Sequence, residues 1–146
     1  MKEQTVLITG ASRGIGLEIA KFLKDLGYRV IGTSTNSQGV QLIDQELGSC
    51  GKGIEMRIDN DESVAQAFSK MEELEESPCI LINNAGITGP TGPLWEYDVE
   101  TWNKIVQINL MGTFNCCRAI VPNMIKHNYG RIVNVCLLYT SDAADE

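Results

Sequence analysis

Histidine is almost missing from this chain of 146 residues, with one, at position 127, and aromatic residues make up only 6%. The five cysteines, at 50, 79, 116, 117 and 136, are odd in number and show no C-x-x-C or Cys/His spacing. That excludes a disulfide framework and a zinc site; the cysteines are expected as small buried residues of a reducing compartment. No apolar run approaches the roughly 20 residues that cross a bilayer. A strand pattern begins within a few residues of Met1, leaving no room for a signal peptide, so a cytoplasmic protein is expected. Basic residues are the minority, 12 Lys and Arg against 19 Asp and Glu for a formal net charge of −7, and no basic face for nucleic acid is implied. The absence of a G-K-[ST] step excludes a P-loop nucleotidase. His127, beside Lys126 at the end of a helical stretch, is expected as a solvated residue favoured by the helix dipole.

What is present is alternation. Short apolar runs at 5–9, 29–33, 53–58, 79–83 and 131–135 are separated by helical patterns at 14–26, 38–47, 61–76 and 98–127. Strands alternating with helices require right-handed crossovers and a parallel sheet. The fold class is α/β, a Rossmann-type doubly wound sheet of order 3-2-1-4-5, ending after the fifth strand. Its ligand crevice should lie at the carboxyl ends of strands one and four, where the order reverses. Asp98 is the expected N-cap of the last helix, whose apolar residues (Trp102, Leu110, Phe114 and Ile120 among them) cover more than one face and predict burial on two sides.

The first strand breaks into Thr9-Gly-Ala-Ser-Arg-Gly-Ile-Gly16. Gly10 permits the tight turn, Gly14 lets backbone approach a pyrophosphate, and Gly16 lets the helix pack close to the sheet with its N–H groups facing the anion. The spacing is G-x-x-x-G-x-G rather than the usual G-x-G-x-x-G. A second motif, Asn83-Asn-Ala-Gly86, ends the fourth strand. Together with Asn109 inside the last helix and Gly130-Arg-Ile-Val-Asn-Val135, these segments resemble the classical short-chain dehydrogenase/reductase family over residues 3 to 135. Within it, Val30–Thr35, Gly39, Leu47-Gly48 and Gly51-Lys-Gly53 are most similar to the 3-oxoacyl-[acyl-carrier-protein] reductase subgroup. The G-x-x-G-x-x-G of the extended, epimerase-type family is not met.

The resemblance implies an oxidoreductase that passes hydride between a nicotinamide cofactor and a carbonyl, with a small-molecule or acyl-thioester substrate and a dimeric or tetrameric full-length protein. The implied cofactor residues are Gly10, Ser12, Arg13, Gly14, Ile15, Gly16, Thr35, Arg57, Ile58, Asn84, Ala85 and Gly86. NAD-binding members offer an acid after strand two to the ribose 2′-hydroxyl, but the stretch 32–38 holds no carboxylate. Arg13 can donate to a 2′-phosphate and Thr35 can add a hydroxyl, so NADP(H) is expected before NAD(H). Arg57 stands where the family usually has Asp or Asn for the adenine amine. An arginine there can stack on adenine or reach the 2′-phosphate, or Asp59 can take the part. Asn83 is as suited to tying the sheet as to contact. Asn109 matches the family's catalytic asparagine, which holds a water in a proton relay.

The family's catalytic serine and Tyr-x-x-x-Lys pair follow the fifth strand, and neither is expected in this chain. Residues 136–146 read as a translation of the transposase adapter used in DNA library preparation, so a non-native tail is expected there, carrying three of the chain's acids. Leu137 holds the serine's place. Tyr139 is followed four residues later by Ala143 instead of lysine, and Ser141 falls on the wrong side of the tyrosine. An inactive fragment is therefore expected; the competing readings are a non-catalytic NADP(H)-binding module and an alcohol or sugar dehydrogenase of the same family.

Overall fold

The computed structural model of the protein describes residues 4–136. Five parallel strands, β1 (Thr5–Ile8), β2 (Arg29–Ser34), β3 (Gly51–Glu55), β4 (Ile80–Asn83) and β5 (Arg131–Asn134), form one sheet in the order β3-β2-β1-β4-β5. The expected class and strand order are both found. In the central register Val6 lies opposite Val30 on one side and Ile80 on the other.

Helices cover both faces, so the central strands are apolar throughout rather than alternating. Side chains on successive strand residues point to opposite faces. Leu7, Ile31, Ile54 and Leu81 therefore pack with Val64, Met71, Cys116 and Ile120 of α3 (Asp61–Glu73) and α5 (Gly112–Lys126). Val6, Ile8, Val30 and Ile82 pack with Ala20, Ile43 and Leu47 of α1 (Gly14–Asp25) and α2 (Ser37–Leu47). Each fully buried Leu or Ile of these two cores stabilises the fold by roughly 1.5–3 kcal/mol relative to exposure.

Three expectations need correction. β3 runs from Gly51 to Glu55, earlier than the expected 53–58. Its two glycines belong to the strand because α2 lies directly on it: a Cβ on Gly53 would sit 2.5 Å from the Val40 carbonyl oxygen. The helix expected over 98–127 is three pieces, α4 (Val99–Val106), a π-helical segment (Gln107–Met111) and α5, and only one of its sides is buried. Leu110 and Phe114 are more than half exposed while Ile120 is fully buried. Finally, Cys50 and Cys136 are exposed rather than buried; all five cysteines are free.

Candidate functional site

At the carboxyl ends of the strands lies a cleft of about 670 Å³. A larger hollow of about 1160 Å³ sits at the opposite, amino-terminal edge, beside Thr5, Tyr28 and Cys79. Ligands of open parallel sheets bind outside the carboxyl ends at the switch of strand order, so the smaller cleft is the candidate site. His127, at the C-terminus of α5, lines the larger hollow, away from this cleft.

The turn between β1 and α1 forms the cleft's floor. Gly10 and Gly14 have φ of +66° and +56°, the left-handed region in which glycine carries no Cβ penalty. Arg13 is the N-cap of α1 but makes no side-chain cap bond, and the N–H groups of Gly14, Ile15 and Gly16 have no partner among the described residues. The first turn of α1 also contains no acid. Three unpaired donors at the positive end of a helix are suited to an anion.

Of the twelve expected cofactor residues, eleven line this cleft: Gly10, Ser12, Arg13, Gly14 and Ile15 from the turn, Thr35 after β2, Arg57 and Ile58 after β3, and Asn84, Ala85 and Gly86 after β4. Gly16 does not, because it is the packing position: a Cβ there would lie 2.3 Å from the Gly10 carbonyl oxygen and 2.5 Å from Asn84 Nδ2. The Arg13 guanidinium has no hydrogen-bond or ion-pair partner among the described residues and is exposed to the cleft's solvent.

Thr9 is the residue that sequence reasoning missed. Its Oγ1 accepts from the N–H groups of both Asn84 and Ala85 at 3.0 Å, pinning the end of β4 to the end of β1. Asn84 Nδ2 in turn donates to the carbonyls of Thr9 (3.0 Å) and Gly10 (3.1 Å). The amide of Asn84 is thus committed to holding the glycine turn. Asn83 is buried, and its Nδ2 donates to Asn134 Oδ1 at 2.9 Å, which assigns it to tying β4 to β5. A β-branched hydroxyl directly before a glycine turn was the available signal for Thr9; its apolar neighbours make it read as strand.

Opposite the turn, Arg57 pairs with Asp59, Nη2 to Oδ2 at 3.0 Å, and that hydrogen bond holds the Asp59 carboxyl below the usual carboxylate range. Gln107 Nε2 donates to the Asp59 carbonyl at 3.2 Å. Gln107 opens the π-helical segment, which carries Asn109 two residues on; such one-turn widenings recur at functional sites. Asn109 Oδ1 accepts from Ile87 N–H at 2.9 Å and its Nδ2 donates to Ile87 C=O at 2.8 Å. Asn109 therefore clamps the segment leaving Gly86, and a Cβ on Gly86 would approach its Oδ1 to 3.1 Å. Leu137, Tyr139 and Ser141 lie outside the described residues.

A family model described as short chain dehydrogenase matches residues 4–144. The chain is 38% identical over 135 residues to the 3-oxoacyl-[acyl-carrier-protein] reductase FabG of Vibrio cholerae, covering 92% of this chain and 55% of that protein. It is 39% identical over 129 residues to the protein of the same name from Escherichia coli, covering 88% and 52%. The crystal structure of a metagenomic short-chain oxidoreductase in complex with NADP matches with a TM-score of 0.85 at 29% identity, covering 93% of this chain and 63% of that one. The chain spans about half the length of these curated relatives.

Proposed function

The chain belongs to the short-chain dehydrogenase family, and from that premise we propose that it forms the nucleotide-binding part of an NADPH-dependent carbonyl reductase of the 3-oxoacyl-[acyl-carrier-protein] reductase type. The observation that carries the reading is the unpaired Arg13 guanidinium at the mouth of a cleft whose β2 side offers Ser34 and Thr35 and no carboxylate. A 2′-phosphate meets charge-assisted donors there and no repulsion. The NADP named with the metagenomic oxidoreductase supports the same cofactor class.

The residues present fit such a dinucleotide. The unpaired N–H groups of Gly14, Ile15 and Gly16 would hold the pyrophosphate, with Gly14 leaving room for its close approach. Ala85 and Gly86 would border the nicotinamide ribose. When bound, the reduced nicotinamide supplies the hydride that converts a ketone to an alcohol. Asn109 fixes the main chain at Ile87 beside that end of the cleft. Protonation of the carbonyl oxygen in this family needs a tyrosine with a lysine four residues later, and no Tyr-x-x-x-Lys occurs anywhere in the 146 residues. We infer that 136–146 is a non-native tail and that this chain by itself turns over no substrate, since general acid catalysis contributes about 10²–10⁴-fold. An acyl-thioester substrate, a cytoplasmic location and a dimeric or tetrameric whole protein complete the proposal. The exposed Leu110 and Phe114 suit an oligomer contact, and no helix among the described residues is long and apolar enough to cross a membrane.

Titration calorimetry of the full-length protein with NADPH and NADH tests the cofactor. NADPH is expected to bind more tightly, and Arg13→Ala to weaken NADPH alone by about 1.5–3 kcal/mol, the range for hydrogen bonds to a charged group. Equal affinities for the two cofactors would remove the reading.

A further inference from the structure

Resting on the nucleotide reading above, we propose that Arg57 and the Ile58 N–H give the base end of the cleft an edge made only of donors, so that the protein does not select adenine over hypoxanthine. Arg57 and Ile58 follow β3 and line the cleft beside Met56. A guanidinium has five N–H donors and no acceptor. The Ile58 N–H has no partner among the described residues. Asp59 is the one carboxylate among the residues lining the cleft, and both of its oxygens face Arg57, with Nε 3.4 Å from Oδ1 and Nη2 3.0 Å from Oδ2. Its carbonyl is occupied by Gln107. The ion pair thus does two things: it fixes the guanidinium at the rim, and it engages the acceptor that an exocyclic amine would need.

Adenine presents an amine donor at C6 and an acceptor at N1, whereas hypoxanthine presents an acceptor at C6 and a donor at N1. Against donors alone, adenine satisfies one of them through N1 and hypoxanthine satisfies one through its 6-oxo group. Each base is left with one unmatched group, and the two come out nearly equal. A site with an acceptor opposite C6 behaves otherwise, because the wrong group leaves a buried partner unpaired.

The test is calorimetric titration of the full-length protein with NADPH and with its hypoxanthine analogue. Dissociation constants within about threefold of each other are expected for the natural protein, and a shift toward NADPH for Arg57→Ala, which removes the partner of the 6-oxo group, leaves the Ile58 N–H for N1 and frees the Asp59 carboxylate. Arg57→Asp, which offers acceptors only, should raise the preference for NADPH to about tenfold or more. Arg57 is exposed, and the urea midpoint of each variant checks that the fold is retained. A natural protein that prefers adenine by tenfold overturns the inference and assigns the amine to Asp59 or a carbonyl. An unchanged ratio in Arg57→Asp also overturns it, by moving the base away from this edge. Failure of NADPH itself to bind removes the nucleotide reading as well, a result distinct from either of these.

Discussion

At the scale of single residues, the site is held by polar groups that bridge elements far apart in sequence. Thr9 joins β1 to β4, and Asn109 joins the π-helical segment to the chain after β4. Asp98 performs the same service locally: its carboxylate accepts from Thr101 N–H at 2.8 Å, capping α4, and hydrogen bonding from Thr101, its side chain first and this N–H second, holds the Asp98 pKa below the ordinary carboxylate value. A carboxyl whose pKa is depressed by folding contributes stability above its unfolded pKa of about 3.9 and loses it as pH falls through the folded value. Asp98→Asn retains a capping oxygen but cannot titrate. The stability gap between the natural protein and Asp98→Asn, measured by urea unfolding, should therefore be constant near neutrality and close as pH falls below about 4. A gap that widened on acidification would contradict the cap's ionised state. Asp98 was legible in the sequence, as an acid before an amphipathic run; Thr9 was not, because its role depends on a strand 70 residues away.

At the scale of elements, glycines mark where two backbones meet, and the sequence shows which glycines do so only in part. Gly10, Gly14 and Gly16 stood out through their spacing, and all three have the geometry expected of them. Gly51 fell outside the expected strand, and the closeness of β2 and α2 that makes it a strand residue is a tertiary fact: a Cβ there would lie 2.3 Å from the Val30 carbonyl oxygen and 2.6 Å from Leu47 Cδ1. The π-helical segment was equally hidden, since the residues Gln107–Met111 carry an unbroken helical pattern. Close packing follows directly after it: a Cβ on Gly112 would lie 2.6 Å from Ile58 Cγ1. Two substitutions separate conformation from contact within the glycine turn. Gly14→Ala meets no atom within 4 Å and carries only left-handed strain, about 1–2 kcal/mol. Gly16→Ala drives a methyl into the Gly10 carbonyl, which belongs to backbone and cannot swing aside, and should cost about 3 kcal/mol or more with loss of nucleotide binding. Urea midpoints and NADPH titration of the two variants check the order; a Gly16→Ala protein as stable as Gly14→Ala would show that the turn yields.

At the scale of the molecule, the two edges of the sheet differ. β3 lies against α2 with three of its five residues buried, whereas every residue of β5 is exposed, with Ile132 at 41% and Val133 at 49%. Parallel strands are stable when both faces are covered, and an apolar edge invites pairing. The expected sheet order and the crevice at its switch point were legible because the alternation of strand and helix patterns encodes them, whereas Thr35, Arg57, Ile58 and Asn84, which line the cleft, could be named only through the family resemblance. The decisive measurement is a crystal structure of the full-length protein grown with NADP⁺. The pyrophosphate is expected on the N–H groups of Gly14, Ile15 and Gly16, and the 2′-phosphate within hydrogen-bond distance of the Arg13 guanidinium. A nucleotide seated in the hollow at the amino-terminal edge, or a 2′-phosphate turned away from Arg13, would contradict the assignment of this cleft to NADP(H).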